Sequence, residues 1–365
     1  MLRFPHEWNG KLVVAGASGT RSEFNGDYAW SNFVLQQGYA YASQNKGVLN
    51  CYGSTADDPL ACRLNPDSTT YVHFYCNDPE KPFTQWTEFM VRTADLACEA
   101  AAEYYGHAPR RTYAVGISNG GYQVLHAIEN APDLFDGGVD WEGTYVNPAN
   151  PNLLMEIAVV LRNFPAYAAS GLNPSSEAAQ KIIAAGYPPD IVFEGRSFWG
   201  VYWERFWEIS MAQWQKRLGP EYDTYGAGLA SYDGAARDVE RLRATMAAIA
   251  TTGKISRPVV SIAGTMDALL PVRLHARAYQ RQVQAAHNDV QYRLYEIQNG
   301  NHVDVFRTLF PQLEFIEPHA HRAFDLLVDH VENGAPLPPD QCVPRGGRIS
   351  EKPTQPGHAR ELCQP

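Results

Sequence analysis

No stretch of this chain approaches the roughly 20 uninterrupted apolar residues that a bilayer crossing needs, so no membrane span is expected. Clustered cations are missing too. Against 40 acidic side chains stand only 30 basic ones, for a formal charge of −10. Nucleic-acid binding leans on grouped Lys and Arg facing phosphate, and no such partner is expected. Cofactor signatures are equally scarce. No G-x-G-x-x-G stands behind a strand, and neither a P-loop nor an H-E-x-x-H occurs. A dehydrogenase or an NTPase is therefore poorly served, and no cofactor or metal is expected. The acidic run SYDGAARDVE at 231–240 lacks the EF-hand spacing, so calcium has no support.

Cysteine is sparse and scattered. Cys51, Cys62, Cys76, Cys98, Cys342 and Cys363 form no C-x-x-C pair and are not grouped with histidines as a zinc site requires. An even number at long spacing suits disulfides and an oxidising compartment. Six reduced, buried thiols in a cytosolic enzyme are the alternative. The shortest loops to close are Cys51–Cys62 and Cys342–Cys363, which leaves Cys76–Cys98. Met1 leads almost directly into RFPHEWNGKLVVAG, which reads as folded sequence. An export signal is expected to have been removed ahead of it, with a secreted or periplasmic location.

What is present is alternation. Apolar runs at Lys11–Ala15, Tyr39–Ser43, Thr112–Val115, Gly137–Val139, Pro258–Ile262 and 291–297 read as strands. Helical spacing fills Trp30–Gln37, 86–105 and Gly120–Glu129 between them. Strands alternating with helices imply an α/β protein whose mainly parallel sheet is covered on both faces. The length fits one large domain with an insertion. The core is expected over 1–145 and 251–335, a helical lid over 146–250, and an extended, Pro/Gly-rich tail over 336–365 pinned by its cysteines. Within the lid, SFWGVYWERFWEISMAQW concentrates aromatics. At 3–4 residue spacing they can share a helix face and pack the insert down. Trp199, Trp203 and Trp207 are the candidates for lining a substrate pocket instead.

The chemistry centres on YAVGISNGGYQVL at 113–125. A G-x-S-x-G string alone arises by chance in about one chain in ten of this length. Here a strand leads in and a helix leads out, the arrangement of a nucleophile elbow. Gly116 and Gly120 relieve the crowding of that turn around Ser118. The helix start after it aims backbone N–H groups at a developing oxyanion. Asn119 is one expected donor; Ala17 or Ser18, in the loop GASGTRSEF after the first long strand, is the other. A reactive serine needs a base, and the base an orienting acid. Asp267 follows PVVSIAGTM, past a buried run and a turn, and His302 lies in the Gly/Asn-rich loop after YRLYEI. The order Ser118, Asp267, His302 is that of the hydrolase triad. Asp140, after the strand that follows the nucleophile helix, is the alternative acid. Asp304 reads as a capping or loop residue. His319 and His321 in PHAH lack a third ligand and read as structural, as does His126; Tyr122 and Gln123 read as helix residues.

Over nearly all its length the chain resembles the α/β-hydrolase superfamily, and more narrowly the tannase and feruloyl-esterase type. The resemblance is carried by RFPHEWNGKLVVAG, EYYGHAPRRTYAVGISNGGYQVLHAIENAPDLFDGGV, GTMDALLPV and GNHVD. It implies Ser118, Asp267 and His302 as a triad, with secretion, disulfides and an inserted lid. Many members carry a cysteine before the nucleophile bridged to one beside the histidine; Ile117 and Asn301 stand there in this chain, and the lid's calcium loop is not recognisable. The SNGG elbow also resembles 3-hydroxybutyrate-oligomer and other short-polyester hydrolases. The expectation is a serine carboxylester hydrolase with a small-molecule or oligomeric ester substrate, phenolic or otherwise aromatic first and a short polyester second. A non-catalytic binding module on the same fold is the competing class.

Overall fold

The computed structural model describes residues 1–19, 28–46, 50–52, 67, 72–74, 84–148, 153–218, 239–353, 358 and 363. Its first half contains β1 (Leu2–Arg3), β2 (Lys11–Gly16), α1 (Tyr28–Gln36), β3 (Ala40–Ser43), β4 (Asn50–Tyr52), β5 (Val72–Phe74), α2 (Thr84–Tyr105), β6 (Arg111–Ile117), α3 (Asn119–Asn130) and β7 (Gly137–Trp141). A helical segment follows: α4 (Leu153–Ala169), α5 (Glu177–Ala184), the short pair β8 (Val192–Phe193) and β9 (Arg196–Ser197), α6 (Phe198–Arg205), α7 (Trp207–Leu218) and α8 (Val239–Ala247). The chain then returns through β10 (Val259–Gly264), α9 (Ala276–Ala285), β11 (Tyr292–Ile297), α10 (Glu317–Asn333) and β12 (Gln341–Val343).

Eight strands form one sheet in the order β1-β3-β2-β6-β7-β10-β11-β12. Only the β1–β3 pair is antiparallel. Strands buried on both faces need continuous apolar runs, and the alternation inside each run shows which face each residue serves. Leu12 and Val14 pack with Met90, Ala94, Val124 and Val283 under α2, α3 and α9. Val13 and Ala15 pack with Trp30, Val34, Phe324 and Leu327 under α1 and α10. A third apolar cluster joins the helical segment to the carboxyl ends of the strands, where Trp199, Tyr202, Trp207 and Met211 meet Leu269 and Phe306.

Two expectations need correction. Within the segment 336–365, expected as an extended tail outside the core, residues 341–343 belong to the core: QCV is buried and continues the sheet beside β11. The Cys342–Cys363 disulfide ties the chain end to that strand. Cys98, assigned to Cys76 by elimination, carries a free thiol whose Sγ lies 3.8 Å from Thr112 Oγ1. It sits on α2 facing the sheet, so its packing there replaces the expected bridge. The Cys51–Cys62 pairing lies outside the described residues.

Candidate active site

β6 runs straight into Ser118, and α3 starts at the next residue. The turn leaves Ser118 at φ 60°, ψ −122°, a conformation that costs about 1–3 kcal/mol and persists only where the surroundings enforce it. They do. The Ser118 N–H donates to Trp141 O at 2.9 Å, and its carbonyl accepts from Tyr122 N–H at 3.1 Å and Thr144 N–H at 3.3 Å. Absent side chains make the room. A Cβ on Gly116 would stand 2.3 Å from the Gly120 oxygen, and one on Gly120 would stand 2.5 Å from the Gly16 oxygen. β2, β6 and α3 therefore touch backbone to backbone.

Asp267 and His302 come from the ends of β10 and β11. Gly264, at the end of β10, and Gly300 are pressed together, and the loops are tied by Met266 N–H to Gly300 O at 2.8 Å and Thr265 N–H to Ile297 O at 3.0 Å. His302 Nδ1 meets Asp267 Oδ2 at 2.8 Å, while Asp267 Oδ1 accepts the amides of Leu269 at 2.7 Å and Leu270 at 2.8 Å. With Nδ1 engaged, Nε2 is the nitrogen left for chemistry. Burial works against a charged His302, but the Asp267 carboxylate and its hydrogen bond outweigh it and raise the imidazole above its ordinary value. Burial likewise opposes charge on Asp267, yet His302 holds its carboxyl below the usual range.

Ser118 and His302 line one cavity of about 630 Å³. Ser18, Asn119, Ile117, Trp141, Phe206, Ile209, Trp214 and Leu270 share its wall. Asn119 opens α3, where the first N–H groups have no partner inside the helix. Of the two loop positions expected beside it, Ser18 borders the cavity. Ala17 does not: its N–H is given to Gln123 Oε1 at 2.8 Å.

The tryptophans are elsewhere. Trp199 and Trp207 are fully buried, and neither they nor Trp203 line the cavity. Trp207 Nε1–H donates to Ala268 O at 2.7 Å beside Asp267, and Trp199 Nε1–H to Pro188 O at 3.0 Å. Trp203 stacks on Phe164 and donates to Asp67. The helix phase that buries these rings presents Phe206, Ile209 and Trp214 to the site instead. Asp140 does not reach the imidazole, since its Oδ2 accepts from Ser261 Oγ at 2.7 Å. Asp304 accepts the Ile316 and Glu317 amides at 2.8 and 3.0 Å, capping α10. His321 stacks on Phe33 and bonds Ala29 O, and His319 is buried on α10. His126 lies on α3, lowered to about 4 by burial. Tyr122 and Gln123 are helix residues, as expected, and neither borders the cavity.

Sequence reading missed the supports. Gln123 also donates to Trp86 O and shares its oxygen with Gln44. Lys46, buried, donates its ammonium to Ala17 O at 3.0 Å and to Gly19 O. Together they shape the 17–19 loop. Tyr202 Oη donates to Asn301 Oδ1 at 2.6 Å, so Asn301 is tied to the helical segment. Asn119 Nδ2 donates to Gln213 Oε1 at 3.0 Å. Tyr202 on α6 thus holds the His302 loop, and Gln213 on α7 holds the start of α3 and, by donating to Gly19 O at 3.0 Å, the 17–19 loop. Glu142, one residue past β7, lies against His302. The string VDWE at 139–142 places this second acid two residues past Asp140, at the same strand end. Among the described residues, Glu142, Asp267 and His302 are the one grouping able to present three metal ligands, and it is the site itself.

The fold as a whole has counterparts in solved structures. Feruloyl esterase B from Aspergillus oryzae superposes with a TM-score of 0.55 at 15% identity, over 93% of this chain and 78% of that one. The fold is that of the α/β-hydrolases. A second α/β-hydrolase, an esterase from Aspergillus oryzae, matches at 0.55 and 14% identity, over 93% of this chain and 77% of that one. By sequence, residues 222–360 match the family model described as 3HB-oligomer hydrolase. The D-(-)-3-hydroxybutyrate oligomer hydrolases of Burkholderia thailandensis and Burkholderia mallei are 38% identical over 99 residues. That match takes in 25% of this chain and 14% of those relatives.

Proposed function

We propose that the chain is a serine carboxylester hydrolase acting on short oligoesters of hydroxy acids. The observation that carries the ester chemistry is the convergence of Ser118, under backbone strain, and of His302, backed by Asp267, on one apolar-walled cavity. Ser118 Oγ attacks the ester carbonyl carbon while His302 Nε2 takes its proton. Asp267 holds Nδ1–H and stabilises the imidazolium. The carbonyl oxygen becomes an oxyanion facing the amides of Asn119 and Ser18. His302 then gives its proton to the leaving alkoxide, and an acyl-serine remains. A water deprotonated by Nε2 attacks that acyl group and releases the acid and Ser118.

The oligoester substrate is supported by the likeness of residues 222–360 to the 3HB-oligomer hydrolase family. A second reading, esters of phenolic acids, is favoured by Trp141, Phe206 and Trp214 on the cavity wall. The segment 146–250 serves in either case as a lid, and the Cys342–Cys363 disulfide supports a secreted or periplasmic location. Ser118→Ala is expected to abolish p-nitrophenyl ester hydrolysis and fluorophosphonate labelling with the fold intact. Undiminished turnover would sink the assignment, and a wild-type chain that neither turns over nor labels would favour a binding module. A screen of 3-hydroxybutyrate oligomers against feruloyl and galloyl esters separates the two substrate readings.

A further inference from the structure

Behind His302 lie two carboxyl groups rather than one. Glu142 follows β7 and Asp267 follows β10, which are neighbours in the sheet, so adjacent strand ends deliver acids to one imidazole. Asp267 Oδ2 is 2.8 Å from His302 Nδ1, and Glu142 Oε2 is 3.2 Å from the same atom. All three side chains are buried. Nδ1 carries a single proton, and the shorter contact assigns it to Asp267. Glu142 Oε1 accepts the Gly264 N–H, but Oε2 has no donor left. As a carboxylate, Glu142 would press an orphan acceptor against a second anion in a buried site. Two carboxyls so placed cannot both ionise.

The asymmetry between them decides which one keeps the proton. Asp267 has the imidazole and two amides around its oxygens, whereas Glu142 has one amide. Burial and the neighbouring Asp267 push Glu142 well above the usual carboxylate range. Glu142 also sits at φ 49°, a conformation its surroundings must impose. Among the described residues, the other titratable groups facing the pair are the phenols of Tyr202 and Tyr187, which burial pushes well up and keeps neutral. Neither brings a competing charge.

We propose that Glu142 is a neutral carboxylic acid that donates its proton to Asp267, a positioning residue that leaves one negative charge behind His302. This rests on reading His302 as the base of the site. Glutamine keeps a donor at the same place and alanine removes it, so the two substitutions should separate. Glu142→Gln is expected to hold kcat for p-nitrophenyl butyrate near wild type. Glu142→Ala is expected to lower kcat about 10- to 100-fold through misplacement of the pair, with KM little changed. The His302 titration, followed by NMR and assigned with His302→Gln, supplies the second readout. A neutral Glu142 predicts nearly the same imidazole pKa in wild type and Glu142→Gln. An ionised Glu142 predicts a fall of about 1–3 units on that substitution, which would overturn the proposal, as would wild-type kcat in a folded Glu142→Ala. The titration needs no turnover, so it decides the proposal even where Ser118→Ala refutes the ester-hydrolase reading.

Discussion

The contact between Gly264 and Gly300 can be turned into a quantitative test. A methyl group on residue 264 would lie 2.3 Å from the carbonyl carbon and oxygen of Gly300 and 2.8 Å from Asn301 N. These are backbone atoms of the loop that carries His302, so no flexible side-chain end can swing away. Ordinary contact is about 3.5 Å, and the loop must therefore retreat by roughly 1 Å. The Asp267–His302 hydrogen bond, 2.8 Å long, would be stretched by a similar amount. Overpacking of this kind costs about 1–3 kcal/mol of stability. A displacement of about 1 Å at reacting groups costs roughly 100-fold in rate. Gly264→Ala is thus expected to lower kcat/KM for p-nitrophenyl butyrate by about two orders of magnitude. Its stability loss, by urea unfolding, should be far smaller than that of an unfolded variant. Wild-type kcat/KM with unchanged stability would refute the idea that this glycine pair sets the acid–histidine distance.

Other outcomes follow from the same geometry. With His302 as the proposed base, activity needs its neutral imidazole, whose pKa Asp267 raises, so kcat/KM should fall as pH drops through a midpoint above the ordinary imidazole value. A pH–rate profile with a limb at or below that value would contradict the buried ion pair. Gln123→Leu removes the partner of the Ala17 N–H and should cost about 1–3 kcal/mol in urea unfolding, with kcat/KM falling as the 17–19 loop relaxes. An unperturbed variant would show that Gln123 does not hold that loop. Cys342→Ser opens a covalent loop of 21-residue separation and should destabilise the chain by about 3 kcal/mol. The test is the urea midpoint with and without reductant, since the variant should no longer respond to it.

Local sequence determined the sheet and the order of its chemistry. Six apolar runs became β2, β3, β6, β7, β10 and β11 because a strand covered on both faces has to be apolar throughout. Ser118 was legible because a strand, a pair of glycines and a helix must follow one another for that turn to exist, and all are contiguous. Contacts between distant segments were not legible. Nothing in SFWGVYWERFW says which side of α6 and α7 meets the core, and packing turned Trp199 and Trp207 inward and Phe206 toward the cavity. Spacing alone left Cys98 to Cys76, whereas the fold gave it Thr112 as a neighbour. Asp267 and Asp140 both stood at plausible strand ends, and only the three-dimensional register placed Asp267 on His302 and brought Glu142 in beside it. Sequence fixes what each residue can do and roughly where along a strand it stands. Which groups meet in a buried site is decided by how neighbouring strand ends and the helices above them pack.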